Sequence, residues 1–250
     1  ILTGTISGLA LVFEGSSSGI NLATIATMTR FADFMWLGYS VAGAGDVNGD
    51  GYSDVIVGAP NISTASGAIY MYHGSPAGIN TVFDKRLESN QVSASMGISV
   101  ASAGDVNGDG YSDVIVGAHR YDNGQGDEGG AFVYHGTANG ISTTAAATLE
   151  SNQFSAYMGL SVASAGDVNG DGYSDVIAGT PAYDNLQTDE GAAFIFHGSA
   201  TGINTTPAAI VESNVVGARL GISVSTAGDV NGDGYSDIIV GANTYSNTET

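Results

Sequence analysis

A nine-residue motif, Asp-Val-Asn-Gly-Asp-Gly-Tyr-Ser-Asp, occurs four times in this chain, beginning at Asp46, Asp105, Asp167 and Asp229. Each copy carries side-chain oxygens at positions 1, 3, 5 and 9; three of these groups are carboxylates and one is an amide. The backbone carbonyl at position 7 can supply a further oxygen, and the glycine at position 6 permits the positive φ of a sharp turn. Because calcium takes about six to eight oxygen ligands, the motif predicts one calcium ion in each loop and about four per chain.

The predicted ligands occupy the same five positions in every copy. They are Asp46, Asn48, Asp50, Tyr52, Asp54, Asp105, Asn107, Asp109, Tyr111, Asp113, Asp167, Asn169, Asp171, Tyr173, Asp175, Asp229, Asn231, Asp233, Tyr235 and Asp237. A metal-free turn is the alternative interpretation, because Asn-Gly and Asp-Gly pairs form tight hairpin turns by themselves. A plain turn does not require three carboxylates, however, and three close carboxylates repel one another without a cation.

The spacing differs from that of an EF-hand in its second half. An EF-hand loop ends on a bidentate Glu at position 12, whereas this chain has Val57, Val116, Ala178 or Val240 there. The residues after position 9 form an apolar run, such as Asp54–Ala59, which is typical of a buried strand. We therefore expect a shorter loop that ends at position 9 and joins two strands.

The chain is strongly acidic. It has 25 Asp and Glu residues against 5 Lys and Arg residues, for a formal net charge of −20. Because each divalent cation adds two positive charges, four of them would bring this charge to −12. The basic residues are too few and too scattered to form the patch that a nucleic-acid partner requires. We interpret the acidity as a signature of the metal loops, and we exclude nucleic acid as a partner.

No run of 18 apolar residues occurs, so the sequence predicts no transmembrane segment. Cysteine is absent, which excludes disulfides. The chain begins at Ile1 and shows no signal peptide, so we interpret it as a processed form or an excised piece.

The segments around the loops repeat with them. The motif copies are 59, 62 and 62 residues apart, and the flanking sequence repeats in the same phase. A Gly-x-Ser-Val strand precedes each loop, an apolar strand follows it, and a third strand such as Gly130–His135 alternates apolar and aromatic residues. A weaker fourth strand ends near Leu149 and Glu150. Each unit thus contains four predicted strands and no convincing helix.

Each end of the chain holds half a unit. Gly8–Gly15 matches a third strand and Gly19–Thr29 a fourth, whereas the last motif is followed only by a second strand, Asp237–Ala242. Four-stranded antiparallel units of about 40–60 residues favour the blades of a β-propeller. We predict an all-β, single-domain propeller with four blade-equivalents, of which one is split between the termini. Their approximate bounds are 31–90, 91–152, 153–214, and 215–250 completed by 1–30.

A split blade can close a propeller ring, because the paired termini hide both sheet edges. Closure within one chain is the first expectation. Pairing of the terminal half-blades between two chains, which would share eight blades, is a second arrangement and would be self-association. In the third possible arrangement, the chain is a segment of a longer protein.

These residues resemble the FG-GAP repeat of the integrin α-subunit β-propeller. The resemblance rests on Met96-Gly97, Met158-Gly159, the four Asp-x-Asn-x-Asp-Gly-x-x-Asp loops and Gly58–Pro60, and it covers nearly the whole chain. It implies that each loop is a calcium site between two strands of a blade, with the ligands given above. The chain departs from the family in having Leu-Gly or Met-Gly in place of Phe-Gly. Integrin propellers also have seven blades.

The resemblance implies a calcium-binding extracellular adhesion or recognition module, secreted or at the cell surface, with a protein or glycan ligand. It is not predicted to be an enzyme, since no nucleophile elbow, phosphate loop or zinc spacing occurs. One alternative is a carbohydrate-binding propeller, for which the recurring Tyr121, Tyr183 and Tyr245 are candidate contacts. Others are an accessory to a catalytic domain and a structural building block of an extracellular assembly.

Other recurring residues have structural interpretations. His73, His135 and His197 recur at one strand end and are predicted to have structural or surface roles. The acidic pairs Asp127-Glu128 and Asp189-Glu190 are interpreted as solvated loop charge. Trp36, the single Trp of the chain, is predicted to pack in the core or at an edge.

Overall fold

The computed structural model of the chain describes residues 6–31, 34–62 and 66–246. Within those residues every regular element is a strand and none is a helix. The outermost parts of the predicted terminal units, residues 1–5 and 247–250, lie outside the described residues. The all-β fold class predicted from the sequence is confirmed.

The strands are numbered in chain order. They are β1 (Ile6–Ser16), β2 (Gly19–Phe31), β3 (Phe34–Met35), β4 (Ser40–Gly45), β5 (Asp54–Ala59), β6 (Asn61–Ile62), β7 (Ala68–Tyr72), β8 (Lys85–Glu88), β9 (Ser99–Gly104), β10 (Asp113–Ala118), β11 (Gly130–Tyr134), β12 (Ala147–Glu150), β13 (Ser161–Gly166), β14 (Asp175–Thr180), β15 (Ala192–Phe196), β16 (Ala209–Glu212), β17 (Leu220–Gly228) and β18 (Asp237–Ala242).

Three successive units each form one four-stranded antiparallel sheet, with the strand orders β4-β5-β7-β8, β9-β10-β11-β12 and β13-β14-β15-β16. Strands that follow one another in a unit are therefore neighbours in its sheet, as propeller blades require. In the second sheet Val116 of β10 lies between Val100 and Phe132 of the flanking strands. The second strand is covered on both sides and is buried throughout, which explains why its sequence is a continuous apolar run.

The hydrophobic core lies between successive sheets. Ile56 and Met71 of the first sheet pack with Val114 and Phe132 of the second, and a similar cluster joins the second sheet to the third. Burying a side chain of this size contributes about 1.5–3 kcal/mol. Because the apolar side chains of one unit are covered by the next, the units stabilise one another as they do in other repeat proteins.

Two glycines per junction allow neighbouring sheets to touch through their backbones. A Cβ on Gly117 of β10 would lie 1.9 Å from the carbonyl oxygen of Gly159, which opens the next unit. The junction before it repeats this contact at Gly58 and Gly97, where the same distance would be 2.1 Å. The glycine near the end of the apolar strand and the glycine before the first strand of the next unit therefore form one contact.

The two terminal half-units form separate two-stranded sheets, β1-β2 and β17-β18. Among the described residues no strand ladder joins them, so closure within one chain is not what this structure shows. Pairing between chains stays a prediction. A short sheet formed by β3 and β6 was not predicted.

We predict that Gly117→Ala destabilises the protein by about 2 kcal/mol or more, because the added methyl group would overlap the backbone of the next unit. Gly43→Ala is the control, because Gly43 lies on a first strand and a Cβ there would meet nothing within 4 Å. It is expected to change the free energy of unfolding by less than about 0.5 kcal/mol. Urea unfolding measures both variants, and equal losses would contradict the assigned contact.

Candidate metal centre

Each nine-residue motif forms the loop between the first and second strands of a sheet. In the first loop, Oδ1 of Asp46 accepts hydrogen bonds from the backbone N–H groups of Gly49 at 2.7 Å and Asp50 at 3.1 Å. Its Oδ2 accepts from the N–H of Gly51 at 2.8 Å. Both glycines have positive φ, +73° and +88°, which glycine adopts without a steric penalty. The glycines of the motif thus direct backbone N–H groups at its first carboxylate.

The side chains at positions 1, 3 and 5 converge. Oδ1 of Asn48 accepts from the N–H of Asp50 at 2.9 Å, the same N–H that contacts Asp46. The Asn48 amide donates to Oδ2 of Asp50 at 3.0 Å, and Oδ1 of Asp50 accepts from the N–H of Tyr52 at 2.9 Å. The other three loops repeat these distances to within 0.1 Å.

The loop N–H groups favour the charged form of Asp229, the position 1 carboxylate of the last loop. In the last loop the N–H of Gly234 is the largest influence, and it holds the pKa of Asp229 below its usual value. Hydrogen bonds from the N–H groups of Gly232 and Asp233 act in the same direction. This carboxylate is therefore ionised over the whole neutral range and is exposed to solvent.

The position 9 carboxylate has a different environment. Asp113 is buried at the start of β10, and its two oxygens accept from the N–H groups of Val106 at 2.8 Å and Gly136 at 2.9 Å. It thereby joins its own loop to the end of the third strand. Burial raises the pKa of Asp113 to about 6, against the opposing effect of the two N–H groups. Burial also raises the pKa of Asp54 and Asp175, the equivalent residues.

The structure brings the predicted ligands of each loop together, with a division of roles. Position 5 is exposed in every loop and positions 1 and 3 are half-buried in the first three loops, whereas position 9 anchors the loop to the sheet. Across the described ranges, no three carboxylate or imidazole side chains form a ready-made metal-binding group. The carboxylates are instead held by backbone N–H groups. Carboxylate and amide oxygens suit a hard cation, and an oxygen that accepts one hydrogen bond keeps a second lone pair. The donor set fits calcium in type.

Successive loops are in direct contact. The N–H of Ser112, in the second loop, donates to the carbonyl oxygen of Asp46 in the first at 2.9 Å. The ring of Tyr111 covers Gly49, where an added Cβ would lie 2.7 Å from it. The next two junctions have the same hydrogen bond, at 3.0 and 2.9 Å. Sequence reasoning assigned only the carbonyl of position 7, although the identical Tyr-Ser pair in all four copies was a signal for a further role.

Two of the recurring histidines, and two of the Tyr residues after the second strand, pack against neighbouring groups. His73 packs against the next unit, because a Cβ on Gly140 would lie 3.1 Å from its imidazole. Tyr121 and Tyr183 pack edge-to-face against aromatic residues of the third strands, with centroid distances of 5.0 and 5.2 Å. These two rings are therefore not free platforms for a sugar. Tyr245 is exposed.

The prediction of solvated loop charge was wrong for two glutamates. Glu128 and Glu190, interpreted as solvated loop charge, are buried. Oε1 of Glu128 accepts from the N–H of Asn123, so this side chain braces the connection from inside. Of the two positions predicted for Trp36, the core is excluded because 53% of this residue is exposed, whereas packing at an edge stays a prediction.

Two repeat-family models match the chain. The FG-GAP-like repeat matches residues 46–116, and the FG-GAP repeat matches residues 158–196 and 220–250. All four motif loops lie within these matches or at their edges. The match to each of the two family models therefore contains two of the four loops.

Integrin α subunits are similar over most of this chain. Integrin alpha-V of Gallus gallus is 32% identical over 231 residues, which cover 88% of this chain and 21% of that protein. Integrin alpha pat-2 of Caenorhabditis elegans is 36% identical over 228 residues, covering 84% and 18%. Human integrin alpha-6 is 32% identical over 217 residues, covering 85% and 18%. The chain therefore spans about a fifth of the length of these curated relatives.

A solved structure shares the fold. The rhamnogalacturonan lyase PL11 of Bacillus licheniformis aligns with a TM-score of 0.50 and 16% identity, covering 80% of this chain and 39% of that one. At this identity the similarity concerns the fold alone. In the described part of the chain no helix has the length and apolar character needed to cross a membrane.

We predict that each position 7 ring protects the loop of the preceding unit. In metal-free protein, Tyr111→Ala should speed hydrogen exchange at Gly49 and Gly51 about 5-fold or more, since losing roughly 1 kcal/mol of contact shifts a local opening by that factor. Tyr173→Ala is the matched control: it should leave these two amides unchanged and speed exchange in the second loop. Faster exchange only in the loop that carries the substitution would contradict the coupling.

Proposed function

Because the chain belongs to the FG-GAP repeat family, as an integrin-like FG-GAP domain, we propose that it is a calcium-binding β-propeller for extracellular adhesion or recognition. It binds a partner and catalyses no reaction. One observation carries the proposal: the same convergent set of oxygens stands in four loops of one repeating fold. The named relatives are integrins, and this supports adhesion as the class of function.

Each loop would hold one calcium ion through its five predicted ligands. A bound calcium ion would supply positive charge to neutralise the carboxylates. Positions 1, 3 and 5 provide side-chain oxygens from the exposed turn, and position 7 provides its carbonyl. Asp113 and its equivalents hold the turn against the sheet and offer a remaining lone pair. An affinity of about 10⁻⁴–10⁻³ M, as in other extracellular modules, would keep such sites filled outside the cell.

The metal sites have a structural role in this proposal. The loops contact one another from unit to unit, so ordering one loop orders a surface of the next. A cation that binds only the folded state stabilises it by about 2.7 kcal/mol per site at a free concentration one hundred times Kd. The opposite ends of the strands then remain available for the partner. We propose that a protein or a glycan binds at those ends.

We predict that calorimetry detects about four calcium ions per chain, and that a chelator lowers the melting temperature. Asp109→Asn should reduce the number to about three, because it removes one ligand and one charge from a single loop. Asp127→Asn is the control, since it changes the charge equally on a connection outside the loops. Its φ of +50° is one that Asn adopts readily.

The two variants separate a metal site from general acidity. A smaller stoichiometry for Asp109→Asn alone supports a site in the second loop. Equal losses in both variants would indicate diffuse counter-ion binding. Wild-type melting curves that coincide with and without chelator would exclude a structural calcium ion.

A further inference from the structure

In each unit the residue two positions before the glycine that contacts the preceding sheet is held in a left-handed backbone conformation. These residues are Trp36, Ser95, Tyr157 and Arg219, with φ values of 77°, 57°, 59° and 56°. The left-handed region is unfavourable for such side chains, and residues kept there concentrate at binding sites. The backbone conformation is the same in four units, whereas the four side chains differ in size, polarity and charge. The backbone conformation at this position is therefore fixed, whereas the type of side chain varies from unit to unit.

All four of these residues line two adjoining cavities. The first has a volume of about 360 Å³ and includes Trp36 and Ser95, and the second has a volume of about 390 Å³ and includes Tyr157 and Arg219. Leu160 lines both, so the two cavities form one continuous groove. The groove residues precede first strands or follow second strands. The groove therefore lies at the ends of the strands opposite to the motif loops.

The groove contains unpaired positive charge in a protein with a formal charge of −20. Lys85 and Arg86 each form an ion pair with a nearby carboxylate, at 3.0 and 2.7 Å. Among the described residues, no carboxylate lies within 4.0 Å of the guanidinium of Arg120 or Arg219. Arg120 lines the first cavity and Arg219 the second, which Asp189 also lines. The first cavity is therefore the more strongly cationic of the two.

Exposed aromatic rings stand beside this charge. Trp36 and Tyr39 stack with a centroid distance of 5.7 Å and an angle of 18° between their planes. They are 53% and 56% exposed, although burying such rings is usually favourable. His119 also lines this cavity, and burial together with the charge of Arg120 lowers its pKa to about 4. The imidazole is neutral at pH 7, so the guanidinium is the cationic group of the first cavity.

We propose that this groove binds an acidic polysaccharide, with one uronate residue in each cavity. A pyranose ring presents apolar C–H groups that lie flat on an aromatic face, and its carboxylate can accept two parallel hydrogen bonds from a guanidinium. Each cavity offers one αL-held aromatic ring, Trp36 or Tyr157, and one unpaired arginine. A repeat of aromatic and cationic groups in adjoining cavities suits a ligand that repeats a ring and a negative charge.

This inference deepens the proposed function by naming a ligand class, and it rests on that function as a recognition domain. An acidic protein surface is the competing ligand, and the test distinguishes it. The probe is a β-1,4-linked hexasaccharide of glucuronate, added to calcium-saturated protein. Cellohexaose is its neutral counterpart, because it differs only in having hydroxymethyl groups in place of the carboxylates. A hexaglutamate peptide represents an acidic protein.

Trp36 reports binding directly, because it is the only Trp in the chain. Titration with hexaglucuronate should change its fluorescence and saturate, whereas cellohexaose should bind at least about 10-fold more weakly. Arg120→Gln should weaken hexaglucuronate binding about 10-fold or more, since it removes a charge-assisted hydrogen bond. Lys85→Gln is the control with the same change in charge and should leave the affinity unchanged. Calorimetry should show a similar loss for Trp36→Ala.

Three results would overturn the inference: no saturable binding of hexaglucuronate, equal binding of cellohexaose, or equal weakening by Lys85→Gln. Tighter binding of hexaglutamate would assign the groove to an acidic protein instead. The melting temperature with calcium and with chelator is measured on the same samples. A calcium-stabilised protein that ignores hexaglucuronate refutes the ligand class alone, whereas a protein indifferent to calcium refutes the proposed metal sites.

Discussion

The fold depends on one steric constraint, which is that neighbouring sheets touch through glycine backbones. Gly117 and Gly159 leave no room for a Cβ, and the same contact occurs at each junction between complete sheets. Because this contact sets how one sheet sits on the next, it also sets which side chains meet in the core between them. Identical junctions then place identical loops side by side. The hydrogen bond from Ser112 to the carbonyl of Asp46 follows from this stacking, since a loop of different placement would not reach its neighbour.

Stacking the units also concentrates negative charge, and the loops distribute it between two environments. The position 1 carboxylates are half-buried in the first three loops and exposed in the last, and they accept hydrogen bonds from backbone N–H groups. The position 9 carboxylates of the first three loops are buried, and burial raises the pKa of Asp113 to about 6 although two N–H groups oppose the shift. The second environment costs free energy at neutral pH, because folding removes an ionised group from water. A cation near both carboxylates would lower that free-energy cost. The many acidic residues would then be compatible with a stable fold.

The sequence predicted most of the secondary structure, because a period near 60 residues and an exact repeat leave few alternative alignments. The bounds of β5 coincide with the predicted Asp54–Ala59, and the motif residues do form loops between first and second strands. The burial of Glu128 was not predictable, since its partner N–H groups belong to an irregular connection. The contact of the Tyr111 ring with another loop was not predicted either, because only the backbone carbonyl oxygen of position 7 was assigned a role. Contacts between units depend on their relative placement, which periodicity does not specify.

The two ends of the strands differ in how much the sequence varies, and this difference separates their roles. The loop end repeats nine identical residues four times, and the side chains at positions 1, 3 and 5 make the same hydrogen bonds within every loop. At the groove end the backbone is equally constrained, yet Trp36, Ser95, Tyr157 and Arg219 share only their φ. A position that served packing alone would favour glycine or asparagine, which adopt this conformation most easily. The bulky or charged side chains of Trp36, Tyr157 and Arg219 are therefore not explained by backbone conformation, and this favours the contact with another molecule proposed above.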